Sequence, residues 1–164
     1  MISSRLLPLA AASLAALAGP SAAAVPNADY TDMWWNSSQS GWGVSFMQHG
    51  ANGQAYATWY TYDPRTRDNA TGRNTPLWVV MTGGTWTAPN TITGRAYVFN
   101  GVPYNQSGTN PRGNDVGTFT LTFSDYSNAT FTYDIGAPAN VASNDPAYGL
   151  PAMSGSVAIS RFPY

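Results

Sequence analysis

The chain has no cysteine, no lysine and no glutamate; its seven cations are all Arg and its eight anions all Asp. Without cysteine there can be no disulfide, no thiolate zinc site and no thiol nucleophile, so the fold must be held by core packing or a metal rather than by disulfides. Lacking Lys and Glu, the chain is missing two strong helix formers, while Thr, Tyr, Trp, Phe, Asn and Gly are abundant. That bias predicts an all-β protein. Charge is sparse and almost balanced, with a formal net charge of −1. No basic run is available for nucleic acid, and none for an anionic membrane surface. Histidine is nearly absent too: His49 stands alone, which leaves neither a histidine metal cluster nor a Ser-His-Asp arrangement of workable spacing. No Gly-x-Ser-x-Gly elbow occurs either.

Long hydrophobic runs are also missing. The apolar stretch over 6–18 is shorter than the ~20 residues that a bilayer-spanning helix needs. With Arg5 before it and Ala22-Ala23-Ala24 after it, it has the layout of a signal peptide cut before Val25. The reading is therefore a signal segment over 1–24 and one domain over 25–164, secreted or periplasmic, with the outer membrane as the alternative location.

What is present is aromatic surface. Trp34, Trp35 and Trp42 fall in one short block, and every Trp of the chain lies between Trp34 and Trp86. So much flat, rigid side chain implies a core or a ligand for it to cover. Trp42 and Trp59 stand inside alternating segments and read as core. Trp34 and Trp35 are neighbours, so in a strand they point to opposite faces, one in and one out.

Seven segments alternate as strands: 42–48, 54–62, 77–82, 93–99, 117–124, 130–135 and 156–162, with 30–35 as an eighth candidate. The period is clearest at Phe119, Leu121 and Phe123 against Thr118, Thr120 and Thr122, and at Phe131, Tyr133 and Ile135 against Thr130, Thr132 and Asp134. No helical segment follows the leader. This pattern predicts a small antiparallel up-and-down barrel of seven or eight strands, with a two-sheet β-sandwich as the alternative. In a meander, alternate connections share one end, so the three long ones (63–76, 100–116 and 136–155) should crowd a single rim, next to Trp34 and Trp35. Long connections without their own secondary structure often carry function.

That rim supplies the candidate ligand-binding set Trp34, Trp35, Asp63, Arg65, Tyr104 and Arg112, with Arg67, Asp68, Arg73 and Asp115 nearby. Indole faces beside polar groups suit a small apolar molecule or a glycan at a barrel mouth. No cofactor, metal site or catalytic residue is expected: the Asp-Asn runs at 68–72 and 110–115 match no EF-hand spacing. A membrane barrel is disfavoured, because Pro163 follows the last strand and the outward series at 156–160 is Ser and Ala. The expectation is a non-enzymatic binding module. A structural or adhesive surface component, and a hydrolase using loop Asp residues such as Asp63 and Asp115, are the alternatives.

Trp-Trp-Asn-x-x-x-Ser-Gly-Trp-Gly at 34–43, Ala-Thr-Trp-Tyr-x-Tyr-Asp at 57–63 and Leu-Trp-Val-Val at 77–80 together resemble a β-rich module of secreted proteobacterial proteins. Segments 116–125 and 154–161 extend the similarity over nearly all of 25–164. The resemblance implies export and a bacterial source, and no reaction comes with it. Against that pattern, the stretch 64–76 is expanded.

Overall fold

The computed structural model describes residues 23–49, 53–68, 73–108 and 112–163. The expected leader over 1–24 lies almost wholly outside them. The described residues contain nine strands and no helix: β1 (Asp32–Trp35), β2 (Gly43–His49), β3 (Gln54–Asp68), β4 (Arg73–Thr82), β5 (Thr85–Ala88), β6 (Thr91–Asn100), β7 (Arg112–Phe123), β8 (Asn128–Ile135) and β9 (Met153–Arg161). Each neighbouring pair is antiparallel, and the sheet closes on itself. One closure is β4 on β6, through Val79 opposite Val98 and Met81 opposite Ala96. The other is β1 on β9, through Trp34 opposite Arg161 and Trp35 opposite Ser160. Eight strands thus form an up-and-down barrel, and β5 folds back on β6 as a ninth. Closure excludes the sandwich, since a sandwich would leave edges that are paired here.

The inward positions follow from period two. Phe119, Leu121 and Phe123 face in, as do Ala129, Phe131 and Ile135, while their Thr neighbours face out. The deepest part of the core is aromatic. Phe123 stacks on Tyr30 at 3.9 Å and lies against Trp34 at 5.1 Å and Phe46 at 5.3 Å. The Trp86 indole closes the same cluster and donates to the Gly53 carbonyl at 2.7 Å.

Strand direction fixes the two poles. One, the mouth, holds the 36–42 connection, the β3 and β4 ends, the β6 and β7 ends, and the long 136–152 connection. The other, the closed end, holds the β7–β8 turn, the β4–β5 turn, the entry to β1 and the exit of β9. Arg161 plugs the closed end. Its guanidinium pairs with Asp32 at 2.6 Å, donates to the Thr31, Asp29 and Tyr126 carbonyls, and lies 5.1 Å above the Trp34 ring.

The expected connections need correction. Residues 63–68 and 73–76 are not loop; they continue β3 and β4 past an irregularity between Tyr62 and Arg67. Pro64, which has no N–H to give a ladder, falls in that irregularity, and Asn74 Nδ2 donates to the Asp63 carbonyl across it at 2.8 Å. Residues 112–116 belong to β7, and 83–92 contains β5. The third long connection, expected over 136–155, keeps most of its extent and ends at 152, where β9 begins.

Candidate functional site

Burial of the inward side chains changes along the barrel. Toward the closed end, Phe46, Ala57, Met81, Ile92, Leu121 and Phe123 are fully buried. Toward the mouth, on the side of β2, β3, β4 and β9, the inward Trp59, Leu77, Met153 and Val157 are only half buried, as are Trp42 and Tyr133. The lower barrel is a packed core, and its upper part is an aromatic cup.

Trp59 is the centre of that cup. Its ring lies 4.8 Å from Tyr133, 5.2 Å from Phe131 and 6.4 Å from Trp42, the last two in edge-on contact. Its indole Nε1 is enclosed, yet no group among the described residues accepts its hydrogen. Buried polar groups are nearly always paired, and an unpaired one costs about 1–3 kcal/mol. The other buried indoles obey the rule: Trp34 donates to the Tyr30 carbonyl at 3.1 Å and Trp86 to Gly53. The Trp59 N–H is thus an unspent donor among the described residues.

A strap covers part of the mouth. Over 136–152 the chain leaves β8 and returns to β9, and its feet touch: a side chain at Gly136 would meet Ala152 Cα at 3.2 Å. Ala147 and Leu150 enter the core, and Val141 packs beside them. Two polar anchors hold the strap. Asn114 Nδ2 donates to Asp145 Oδ2 at 3.1 Å. Arg65 binds Asp63 through two parallel bonds, Nε to Oδ1 at 2.8 Å and Nη2 to Oδ2 at 2.7 Å, and its Nη1 donates to the Pro146 and Tyr148 carbonyls, each at 2.8 Å. A bidentate guanidinium–carboxylate pair is the stiffest such anchor available.

The side-chain bond from Arg65 holds the Asp63 carboxyl below its usual range, and burial works against that shift. Asp115 is likewise held low by its bond to Arg95, at 2.7 and 2.6 Å. A carboxyl depressed in the folded state contributes stability above its unfolded value. That contribution is lost as pH falls below about 3.9 and through the folded value. Amide protection over 147–150, corrected for the intrinsic slowing of exchange in acid, is therefore expected to fall on acidification below about pH 4, ahead of protection in β7 and β8. Arg65→Ala should produce the same local opening at neutral pH.

The six residues expected at the rim are scattered. Asp63 and Arg65 meet, but each uses the other to hold the strap. Trp34 is fully enclosed in the core, so its ring does not line the mouth. Trp35 lies on the outer wall, edge-on to Phe162 at 5.0 Å. Tyr104 is wholly exposed on the β6–β7 connection, and Arg112 begins β7, its backbone N–H bonded to Asn100 Oδ1 at 3.1 Å. Of the neighbours, Asp115 is paired with Arg95 on the outer wall, and the side chains of Arg67, Asp68 and Arg73 lie outside the described residues. The cup is built instead from Trp42, Trp59 and Tyr133. The signal for it was the alternation that aligns Ala55, Ala57 and Trp59 on one face, with Trp59 the member nearest the mouth. Among the described residues, no three His, Cys, Asp or Glu side chains converge as metal ligands. Comparison with protein-family models, curated proteins and solved structures finds no match to this chain.

Proposed function

We propose that the protein is an exported, non-enzymatic binding module whose ligand enters the mouth of the barrel and rests against Trp42, Trp59 and Tyr133. Barrels of eight strands either fill with side chains or keep room for one small ligand, and here the filling stops at Trp59. The observation that carries the reading is the enclosed Trp59 N–H without an acceptor. A ligand fitting the cup is small, neutral and flat, and carries one carbonyl or ether oxygen for that donor. It reaches the donor by displacing a ring beside Trp59, since the N–H is closed to solvent before binding. A glycan suits it less well, because the cup offers few polar groups against which to set many hydroxyls.

Two further features support this reading over its alternatives. Asp63 and Asp115, the carboxyls a hydrolase would need, are each bound to an Arg and held ionised. The wall of β7, β8 and β9 turns Thr118, Thr120, Thr122, Thr130, Thr132 and Asp134 outward, which favours water over lipid on that side. Export rests on the leader-like segment over 1–24.

Fluorescence titration with naphthalene and with 2-acetylnaphthalene tests the proposal. The wild type is expected to bind both, with the acetyl compound the tighter. In Trp59→Phe, which keeps a ring and removes the donor, that preference should fall about tenfold, the worth of one buried hydrogen bond. Absence of binding, or an unchanged preference in Trp59→Phe, overturns the reading.

A further inference from the structure

The outside of the barrel has two unlike halves. Where β7, β8 and β9 show Thr and Ser, the wall of β2, β3, β4 and β6 shows Met47, Tyr56, Tyr60, Tyr62, Trp78 and Phe99, all exposed. Outward positions of β2, of β3 as far as Tyr62, and of β4 from Pro76 carry no Asp or Arg. At roughly 150–250 Å² for each large aromatic side chain, about half of it bare, these residues present roughly 500–700 Å². That approaches the ~800 Å² that each partner contributes to a standard interface.

One row across this wall is patterned. Trp35 lies opposite Gly43, Gly43 opposite Tyr60, and Tyr60 opposite Trp78. The glycine, having no side chain, leaves a gap between aromatic residues. The gap is the floor of an open groove of about 400 Å³ lined by Met33, Trp35, Trp42, Tyr60 and Phe162. On the other side of Tyr60, Trp78 stands 63% exposed, its ring edge-on to Tyr60 at 6.0 Å. Knob and groove are therefore one strand to either side of β3, at equal spacing.

We propose that this wall is the interface of a symmetric dimer of the chain. A two-fold axis running along β3 between the two copies carries Trp78 of each into the Gly43 groove of its partner and sets Tyr60 against Tyr60. Such an interface is self-complementary, as a two-fold contact must be. Its β2, β3 and β4 part, free of Asp and Arg, meets its own copy without like-charge repulsion, and Arg95 on β6 is already paired with Asp115 at the margin. The eight barrel strands leave no edge to share, so association through this wall uses a face, and Trp and Tyr are the residues that dominate such contacts.

Sedimentation equilibrium on the 25–164 chain is expected to give a dimer. Trp78→Arg should weaken it roughly 100-fold, as loss of a central hot spot does, with an unchanged circular dichroism spectrum. Thr132→Arg, on the opposite wall, should leave it intact. In this cysteine-free chain, Tyr62→Cys lies on the same axis and should give a covalent dimer with a short bis-maleimide, whereas Thr132→Cys should not. A monomeric wild type, or a Trp78→Arg protein that dimerises normally, overturns the proposal. So does a monomer that co-sediments through Trp78 with phosphatidylcholine vesicles or with insoluble cellulose; that result would assign the wall to lipid or to glycan. The cup is tested separately through Trp59→Phe, because Trp59 and Tyr133 do not line the groove, although Trp42 does.

Discussion

Trp34→Ala is expected to cost about 5 kcal/mol, the upper part of the range for removing a buried aromatic side chain, and its adjacent twin Trp35→Ala only about 1 kcal/mol. The two differ in side, not in kind. The Trp34 ring is fully enclosed, packs on Phe123, donates to the Tyr30 carbonyl and carries the Arg161 guanidinium on its face. Removing it opens a large cavity and strips the neighbour from a cation that is itself nearly buried. A domain of this size has about 5–15 kcal/mol in hand, so the variant should be largely unfolded or melt at a much lower temperature. Urea denaturation of both variants measures the difference. Equal losses for the two would mean that the closed end is not packed as described. A ligand-binding role for Trp34 could not be read from this variant, because folding fails first.

Gly117→Ala should be nearly as damaging, at about 3 kcal/mol or more, from overpacking and backbone strain together. Gly117 has φ of +140°, a region that side-chain-bearing residues avoid, and a Cβ there would stand 2.0 Å from the Asp134 carbonyl oxygen of β8. That oxygen belongs to backbone already committed to the sheet, so it cannot move aside cheaply. The strain has a use. The register slips between Ala96 and Tyr97 at this point, and the extra residue in β7 is Val116. Beyond the bulge the phase of the strand reverses, so Asn114 reaches the strap while Asp115 turns outward to Arg95. Loss of Gly117 should therefore also free Asp145, detectable as faster exchange over 142–148 at temperatures where the fold survives.

The architecture was legible because period-two patterning is a backbone property that survives in any context. Phe119-Leu121-Phe123 and Phe131-Tyr133-Ile135 can face only one way once one face is buried. The connections were less legible. Asp63, Pro64 and Arg65 read as loop chemistry by composition, yet the strand continues through them because the carboxylate and guanidinium satisfy each other and the strap. Nothing local announces a partner more than 80 residues away, as Pro146 and Tyr148 are for Arg65. The Trp34–Trp35 pair shows a related limit. Alternation said that one ring was buried, and only the pairing with Arg161 on the last strand decides which. The cup residues Trp42 and Trp59 read as core, which is true of their faces; the free N–H of Trp59 is a fact of three-dimensional surroundings that no spacing encodes.

The seam between β1 and β9 joins the beginning of the described fold to its end, through just two opposed residue pairs. It also brings together Trp34 and the cation that covers it. The aromatic heart of the closed end is covered only when Arg161 has come back across more than a hundred residues of sequence. Contacts between such distant partners form slowly. A chain shortened before Arg161 would therefore lose the cation that covers Trp34 and leave the aromatic closed end uncapped.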